Sequence, residues 1–221
     1  MSIKSAHLNK LLKAFALQES KLVSLLRSDI RNEQYKSQGF KKGGGDFHGP
    51  FWADAKDYVL HGTDLEQLIK DRIEANECRK RLYPELAKGF LDWWNNKKRF
   101  SNEKIEPYPL PLKARLAFKD LDAEVKIENL LVLSVGDESK RIIYPYFTEE
   151  PELSEIFGRI GLWALCAAFP SQNPDNFRIL DVLRGTAISI ENTPFLGTEE
   201  ETFRLHLERI IEKWERLKTE Y

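Results

Sequence analysis

The residue types best suited to chemistry lie in one glycine-rich segment, residues 41–52, with the sequence KKGGGDFHGPFW. Asp46 and His48 are candidate catalytic residues, since a carboxylate and an imidazole can each accept and release a proton. With Asp54 they also form a candidate metal-binding set of oxygen and nitrogen donors. The glycines at 43–45 would let the backbone approach a bound molecule closely, because they carry no side chain. The segment is therefore the first candidate for a functional site.

Aromatic and basic residues suggest a second chemistry, the binding of nucleic acid. Aromatic rings stack on bases, and basic side chains contact phosphates. The candidate binding residues are Lys41, Lys42, Gly44, Trp52 and Trp93. Trp93 is predicted to lie off the buried face of its helix, and its exposure would favour this chemistry. The alternative is that Trp94 and one of residues 51 and 52 fill the core, while the basic run at 97–99 only ends a helix favourably.

Common sequence signatures of catalysis are missing. The glycine segment joins two predicted helices and lacks the GxxxxGK[ST] pattern, which excludes a nucleotide-binding loop of the usual strand-to-helix kind. Neither HExxH nor GxSxG occurs, which argues against the zinc peptidases and serine hydrolases that carry these motifs. Single Asp and His residues in a glycine-rich turn also hydrogen-bond the local backbone. Asp46 and His48 therefore have a purely structural interpretation as well.

Length and composition indicate a folded chain. The 221 residues are 42% hydrophobic and 11% aromatic, which is enough for a sizeable core. The net charge of −1 argues against a dedicated electrostatic nucleic-acid binder. Residues 1–100 nevertheless carry 19 Lys and Arg against 13 Asp and Glu, and residues 101–221 carry 15 against 22. This division indicates either two solvated faces of opposite charge or a basic N-terminal surface that meets phosphate or an acidic partner.

Cysteines and hydropathy indicate the compartment. Cys78 and Cys166 lie far apart in the sequence, so no disulfide framework is implied. The first residues lack the apolar core of a signal peptide, and no apolar run reaches about 18 residues. We therefore expect a cytoplasmic protein with no membrane contact. His206 is predicted to face solvent on the last helix.

The first part of the chain, residues 1–100, is predicted to be mostly helical. Residues 5–36 show apolar residues every three or four positions, which predicts one amphipathic helix of roughly 45 Å. Such a helix either packs across a domain or binds a protein partner or a second copy of the chain. The heptad pattern fails at Gln18 and Asp29, which favours core packing. Three further helices are predicted to begin at Pro50, at a capping box formed by Thr63 and Glu66, and at Tyr83.

A proline-rich connector, residues 101–112, precedes the second part, residues 113–221, and the two parts are expected to form one compact unit. Strands are predicted at 115–118, 124–127, 130–135 and 141–147, followed by an apolar helix from Pro151, a hairpin at 177–190 and a helix capped by Thr198. Pro145 predicts an edge strand or a bulge. We therefore predict an α+β fold, in which the helical N-terminal part packs on a small mixed or antiparallel sheet with C-terminal helices.

The order of elements across about residues 115–183 resembles the core of the PD-(D/E)XK nuclease-like superfamily. The resemblance is one of layout: antiparallel strands, a buried helix and a further strand. In that superfamily an acid on one central strand and an acid-x-Lys motif on the next hold a metal ion and activate water. The returning strand here has neither an acid nor a lysine at residues 143–147. The resemblance therefore implies a descendant without the usual catalytic centre.

Three functions follow as hypotheses. The missing catalytic motifs favour a soluble intracellular binding or accessory module without catalysis or a cofactor. The alternative is a metal-dependent phosphodiester hydrolase, in which Asp46 or His48 approaches Glu124 or Glu128 and Lys126 stabilises developing charge. The candidate ligands of its divalent metal are Asp46, His48, Asp54 and Glu128. The third hypothesis is nucleic-acid binding by the basic N-terminal half.

Overall fold

A computed structural model describes residues 3–39, 47–100, 105–108, 111–136 and 139–220 of the chain. The described part contains seven α-helices: α1 (Leu8–Ala16), α2 (Glu19–Ser37), α3 (Gly49–His61), α4 (Leu65–Ala75), α5 (Tyr83–Phe100), α6 (Glu155–Ala168) and α7 (Glu199–Lys218). It also contains eight strands: β1 (Ser5–His7), β2 (Ile105–Pro107), β3 (Ala114–Phe118), β4 (Ala123–Ile127), β5 (Leu131–Val135), β6 (Ser139–Tyr146), β7 (Phe177–Asp181) and β8 (Thr186–Ile188). The predicted α+β class is confirmed. None of the described helices is long and apolar enough to cross a membrane.

The strands form two mixed sheets. The larger has the order β2-β5-β6-β7-β8, and the smaller has the order β1-β4-β3. In the larger sheet β6 is antiparallel to β5 and parallel to β7, and helix α6 makes the crossover between β6 and β7. Strands β7 and β8 form the predicted antiparallel hairpin. The predicted connector contributes β2, which pairs with the end of β5.

The larger sheet is covered by helices on both faces. Successive side chains of a strand point to opposite faces, and the two apolar cores follow this alternation. Val132 and Ile142 belong to a core shared with α1, α2, α6 and α7. Leu131 and Ile143 belong to a second core shared with α3, α4 and α5. The first hundred residues thus contribute to both sides of the sheet.

The predicted single helix over residues 5–36 is wrong. Residues 5–7 form β1, which pairs in parallel with β4, and the chain leaves the helical conformation at Leu17 before α2 begins. The apolar spacing continues across this break, so periodicity alone could not reveal it. Leu11, Leu12 and Leu26 are buried within the chain's own core, so the apolar face of this region packs inside the chain.

Pro145 does not mark an edge strand. Strand β6 lies between β5 and β7, but its pairing with β5 ends at Ile143. Beyond that point no antiparallel ladder with β5 requires an amide from Pro145.

Helix ends were predicted with mixed success. Helix α3 has its proline in the first turn and ends at Gly62 in the left-handed conformation, as predicted. Helix α4 is capped by Asp64, whose carboxylate accepts a hydrogen bond from the Gln67 amide, so the Thr63 capping box is wrong by one residue. Helix α6 begins four residues after Pro151, where the Ser154 side chain caps it.

Candidate ligand-binding cleft

A cleft of about 900 Å³ opens at the carboxyl ends of the parallel strands β6 and β7. In open α/β sheets this end of parallel strands is where ligands bind. The residues that follow β6 and β7, including Glu149 and Arg184, form one wall. The other acidic and basic residues of the lining are Lys13 of α1, His48 at the start of α3, Arg81 ahead of α5, Glu85 of α5 and Glu150 after β6. Five separate segments of the chain therefore meet around one open volume.

Arg184 joins the ends of the two parallel strands. Its guanidinium donates hydrogen bonds to the backbone oxygens of Thr148 and Glu149, at 3.2 and 2.6 Å, and to the carboxylate of Asp181 at 3.1 Å. Asp181, at the end of β7, is buried with 3% of its surface exposed. Burial raises the pKa of the Asp181 carboxyl, and Arg184 opposes that rise. The guanidinium thus fixes the backbone that forms the cleft wall.

Glu149 lies among positive charges contributed by several elements. Arg81 donates two hydrogen bonds to its carboxylate, at 2.6 and 2.8 Å. These bonds hold the pKa of Glu149 below its usual range, and His48 and Lys13 act in the same direction. A carboxylate whose pKa is lowered is a poor proton acceptor at neutral pH. The arrangement is therefore suited to holding an anion rather than to transferring a proton.

His48 is fixed by aromatic contacts. Its ring stacks on Phe147, with centroids 5.0 Å apart and an interplanar angle of 11°. The preceding residue, Phe47, is anchored through its carbonyl oxygen, which accepts a hydrogen bond from the Tyr83 hydroxyl at 2.8 Å. The middle of the glycine-rich segment, at Phe47 and His48, therefore borders the cleft. The remaining predicted residues of this segment, Lys41, Lys42, Gly44 and Asp46, lie outside the described residues.

Trp52 and Trp93 do not line the cleft. They are buried, with 2% and 6% of their surfaces exposed, so their faces are not available to stack on bases. The Trp52 indole nitrogen donates a hydrogen bond to the Asn129 carbonyl oxygen at 2.5 Å. The prediction that Trp93 lies off the buried face of its helix is wrong. Helix α5 packs against β8 and the turn before it as well as against the core, so its buried face is wider than one stripe.

The candidate metal ligands and catalytic residues lie in different environments. The Asp54 carboxylate accepts two hydrogen bonds from Arg72, both at 2.9 Å. On β4, in the smaller sheet, Glu124 accepts a hydrogen bond from the Ser5 hydroxyl at 2.9 Å and pairs with Arg115. These bonds hold the pKa of Glu124 below its usual range.

The other two candidates on the smaller sheet are placed by the same strand. Lys126 lies on β4, opposite His7 of β1, and Glu128 directly follows that strand. Within the described ranges, no three His, Cys, Asp or Glu side chains are grouped so that they could hold a metal ion. The structure therefore does not bring His48, Asp54, Glu124 and Glu128 together as one ligand set.

The chain matches no protein-family model and no curated protein. The function of the cleft must therefore be argued from its own residues.

Sequence reasoning missed Lys13, Arg81, Glu149 and Arg184. The sequence did contain an indication for Glu149 and Arg184. Each of them follows closely after a predicted strand, the first at residues 141–147 and the second at residues 177–183. Such residues at the carboxyl ends of parallel strands are the expected place for a binding site. That two strands are parallel does not follow from their composition. Lys13, on α1, and Arg81, in the turn before α5, lie far from both strands in the sequence.

Proposed function

We propose that this chain is an intracellular binding module without catalysis of its own, and that its ligand occupies the cleft. The observation that carries the proposal is the convergence of Lys13, His48, Arg81, Glu149 and Arg184 from separate segments on one open volume. Core packing alone does not require such a convergence of charged side chains, because charged groups gain little from approaching one another at a protein surface.

The contacts of Glu149 and Asp181 with arginines support ligand binding rather than catalysis. Glu149 is held ionised by Arg81, and Asp181 is enclosed beside Arg184. A general base that works near neutral pH needs a pKa close to 7 and access to its substrate. The pKa of Glu149 is lowered, and Asp181 lacks exposure. Neither carboxylate therefore suits that role.

Cys78 provides a direct test, since it is exposed and lines the cleft. The rate of Cys78 alkylation should be measured with a panel of nucleotides, phosphorylated and carboxylated metabolites, amino acids and short peptides. We expect at least one compound to slow alkylation and to raise the melting temperature, because a ligand that binds the folded state stabilises it.

A variant that fills the cleft completes the test. Glu85 is an exposed residue at the cleft, so Glu85→Trp adds a bulky ring there without disturbing the core. Both effects of the compound should disappear in Glu85→Trp and persist in the matched control Glu66→Trp on α4, outside the cleft lining. If no compound protects Cys78, or if protection is the same in Glu85→Trp, the proposal fails.

The metal-dependent phosphodiester hydrolase is the second candidate. The order of the larger sheet supports it, because antiparallel β2, β5 and β6 are followed by the α6 crossover to the parallel strand β7. Against it, the described residues of β5 and β6 include no Asp or Glu. Incubation of the protein with DNA and RNA in Mg²⁺ or Mn²⁺ tests this candidate. Cleavage that disappears in Asp46→Ala and His48→Ala would favour the hydrolase over the binding module.

A further inference from the structure

We infer that the cleft recognises a phosphate group, and that this phosphate takes the position that the Glu149 carboxylate holds in this structure. The inference rests on the proposed function, since it names the ligand chemistry of the same cleft. In this arrangement Glu149 acts as an internal substitute for the ligand.

The contact with Arg81 defines the position. Two nearly equal hydrogen bonds, at 2.6 and 2.8 Å, join the guanidinium to both carboxylate oxygens of Glu149. This fork is the geometry with which arginine binds carboxylates and phosphates alike. A phosphate that replaced the carboxylate would therefore keep both bonds.

Further positive charge is available around the same point. Lys13 and His48 line the cleft from α1 and from the start of α3, and the fields of both act on Glu149. In the described part of the chain Lys13 is not engaged in an ion pair. A carboxylate brings one negative charge to this group, whereas a phosphate monoester brings about −1.5 to −2 at pH 7. Of the other acids at the cleft, Glu150 is paired with Lys21 and Glu85 lies on α5, so a phosphate in the position of the Glu149 carboxylate would meet the charges of Arg81, Lys13 and His48.

The exchange requires little rearrangement of the fold. The side chains of Arg81 and Glu149 are 73% and 46% exposed, and such surface pairs are held weakly. The backbone of Glu149 stays bound to Arg184 through its carbonyl oxygen. The carboxylate can therefore turn outward while the cleft wall remains in place.

The neighbouring glutamate provides a discriminating comparison. Glu150 also lines the cleft, but its carboxylate pairs with Lys21 at 3.3 Å and not with Arg81. Glu149→Gln and Glu150→Gln change the net charge equally, yet only Glu149→Gln removes the carboxylate that is paired with Arg81. A phosphate that takes this position should therefore distinguish the two variants.

The test is a calorimetric titration with inorganic phosphate, repeated as protection of Cys78 from alkylation. We expect Glu149→Gln to bind phosphate about threefold to fivefold more tightly than the wild type, because the competing ion pair is removed. Glu150→Gln should change the affinity less than about twofold, since its carboxylate is engaged elsewhere. Adding Arg81→Ala or Lys13→Ala to Glu149→Gln should weaken binding by about fivefold or more.

Four results would overturn the inference. Equal gains in Glu149→Gln and Glu150→Gln would indicate a general effect of charge, and acetate binding as tightly as phosphate would indicate a carboxylate ligand. If phosphate has no effect while another compound of the panel protects Cys78, the phosphate inference fails and the binding module stands. If no compound protects Cys78, both fail.

Discussion

Gly89 of α5 and Gly185 of the turn between β7 and β8 approach each other so closely that neither has room for a side chain. A Cβ atom on Gly185 would lie 2.6 Å from the carbonyl oxygen of Gly89, and one on Gly89 would lie 2.2 Å from the carbonyl oxygen of Val182. The obstructing atoms belong to the backbone, which cannot turn aside as a flexible side chain can. Helix α5 therefore packs directly against the backbone of the turn that contains Arg184.

Gly89→Ala should destabilise the fold because the added methyl group forces α5 away from this turn. We expect a loss of about 2–3 kcal/mol in the free energy of unfolding, as for an overpacked core position. The matched control is Gly62→Ala, where φ is 68° and no atom lies within 4 Å of an added Cβ. Its cost should be the conformational one alone, about 1 kcal/mol. Equal losses for the two variants in urea unfolding would contradict the contact.

Arg184→Met should be destabilising because it leaves the buried Asp181 without its cation. A loss of about 3 kcal/mol is expected at pH 7, and Asp181→Asn in the same chain should restore part of it. Burial raises the pKa of Asp181, so the folded state binds this proton more readily than the unfolded state does. The contribution of Asp181 to stability is thus largest below its unfolded pKa and is lost as the pH rises through its folded pKa.

The pH dependence gives the control for the Arg184 prediction. The free energy of unfolding should be measured with denaturant for Arg184→Met and for the wild type. The difference between them should become smaller as the pH falls from 7 toward about 4. The double variant with Asp181→Asn should lack this recovery. A constant difference between Arg184→Met and the wild type across that range would show that Asp181 does not depend on Arg184.

Elements that depend on local signals could be predicted from the sequence. Pro50 and Gly62 mark the two ends of α3, and the apolar runs of β5 and β6 on either side of a turn at Gly136 indicate two neighbouring strands. The pairing of β1 with β4 could not be predicted, because it joins residues about 120 positions apart and only three residues form the strand. Pairing between strands so distant in the sequence produces no periodic pattern of residues from which it could be recognised.

The cleft was less predictable than the fold for the same reason. Arg81 and Glu149 are 68 residues apart, and Arg184 follows Glu149 by 35. Charged residues of this kind are common on helix surfaces, and nothing in their local sequence separates them from solvated ones. Of the described residues of the glycine-rich segment, Phe47 and His48 border the cleft, whereas Phe51 and Trp52 are buried in the core.

The burial of His206 should make the stability of the fold depend on pH near neutrality. The prediction that it faces solvent is wrong: it is half-buried, stacked on Phe15 at 5.2 Å and edge-on to Phe157 at 5.5 Å. Burial lowers its pKa from the ordinary value of 6.5, and Arg209 adds to this. The unfolded state therefore binds the proton more readily, so stability falls as the pH falls through 6.5 toward the lowered pKa.

His206→Phe should remove this dependence while preserving the ring contacts. The free energy of unfolding of the variant, measured between about pH 7 and 5, should fall less steeply than that of the wild type. His206→Gln, which removes both the titration and the ring, should show the same reduced slope at lower overall stability. Parallel curves for His206→Phe and the wild type would show that burial of this ring has no effect on its protonation.

The two cysteines should differ strongly in reactivity. Cys78 is exposed, whereas Cys166 is half-buried in α6, where burial raises the pKa of its thiol from 9.0 to about 11. The thiolate is the form that is alkylated, and a rise of this size reduces its population about 100-fold at pH 8. Alkylation of the Cys78→Ser protein, which retains Cys166, should therefore be at least about tenfold slower than that of the Cys166→Ser protein.

Unfolding the protein provides the control for the cysteine prediction. In concentrated urea the environment of Cys166 is lost, so the two single-cysteine proteins should react at similar rates, followed by mass spectrometry. Similar rates in the folded state would contradict the packing of α6 on the sheet. They would also remove the selectivity that makes Cys78 a reporter of the cleft, because alkylation of wild-type protein would then report both sites at once.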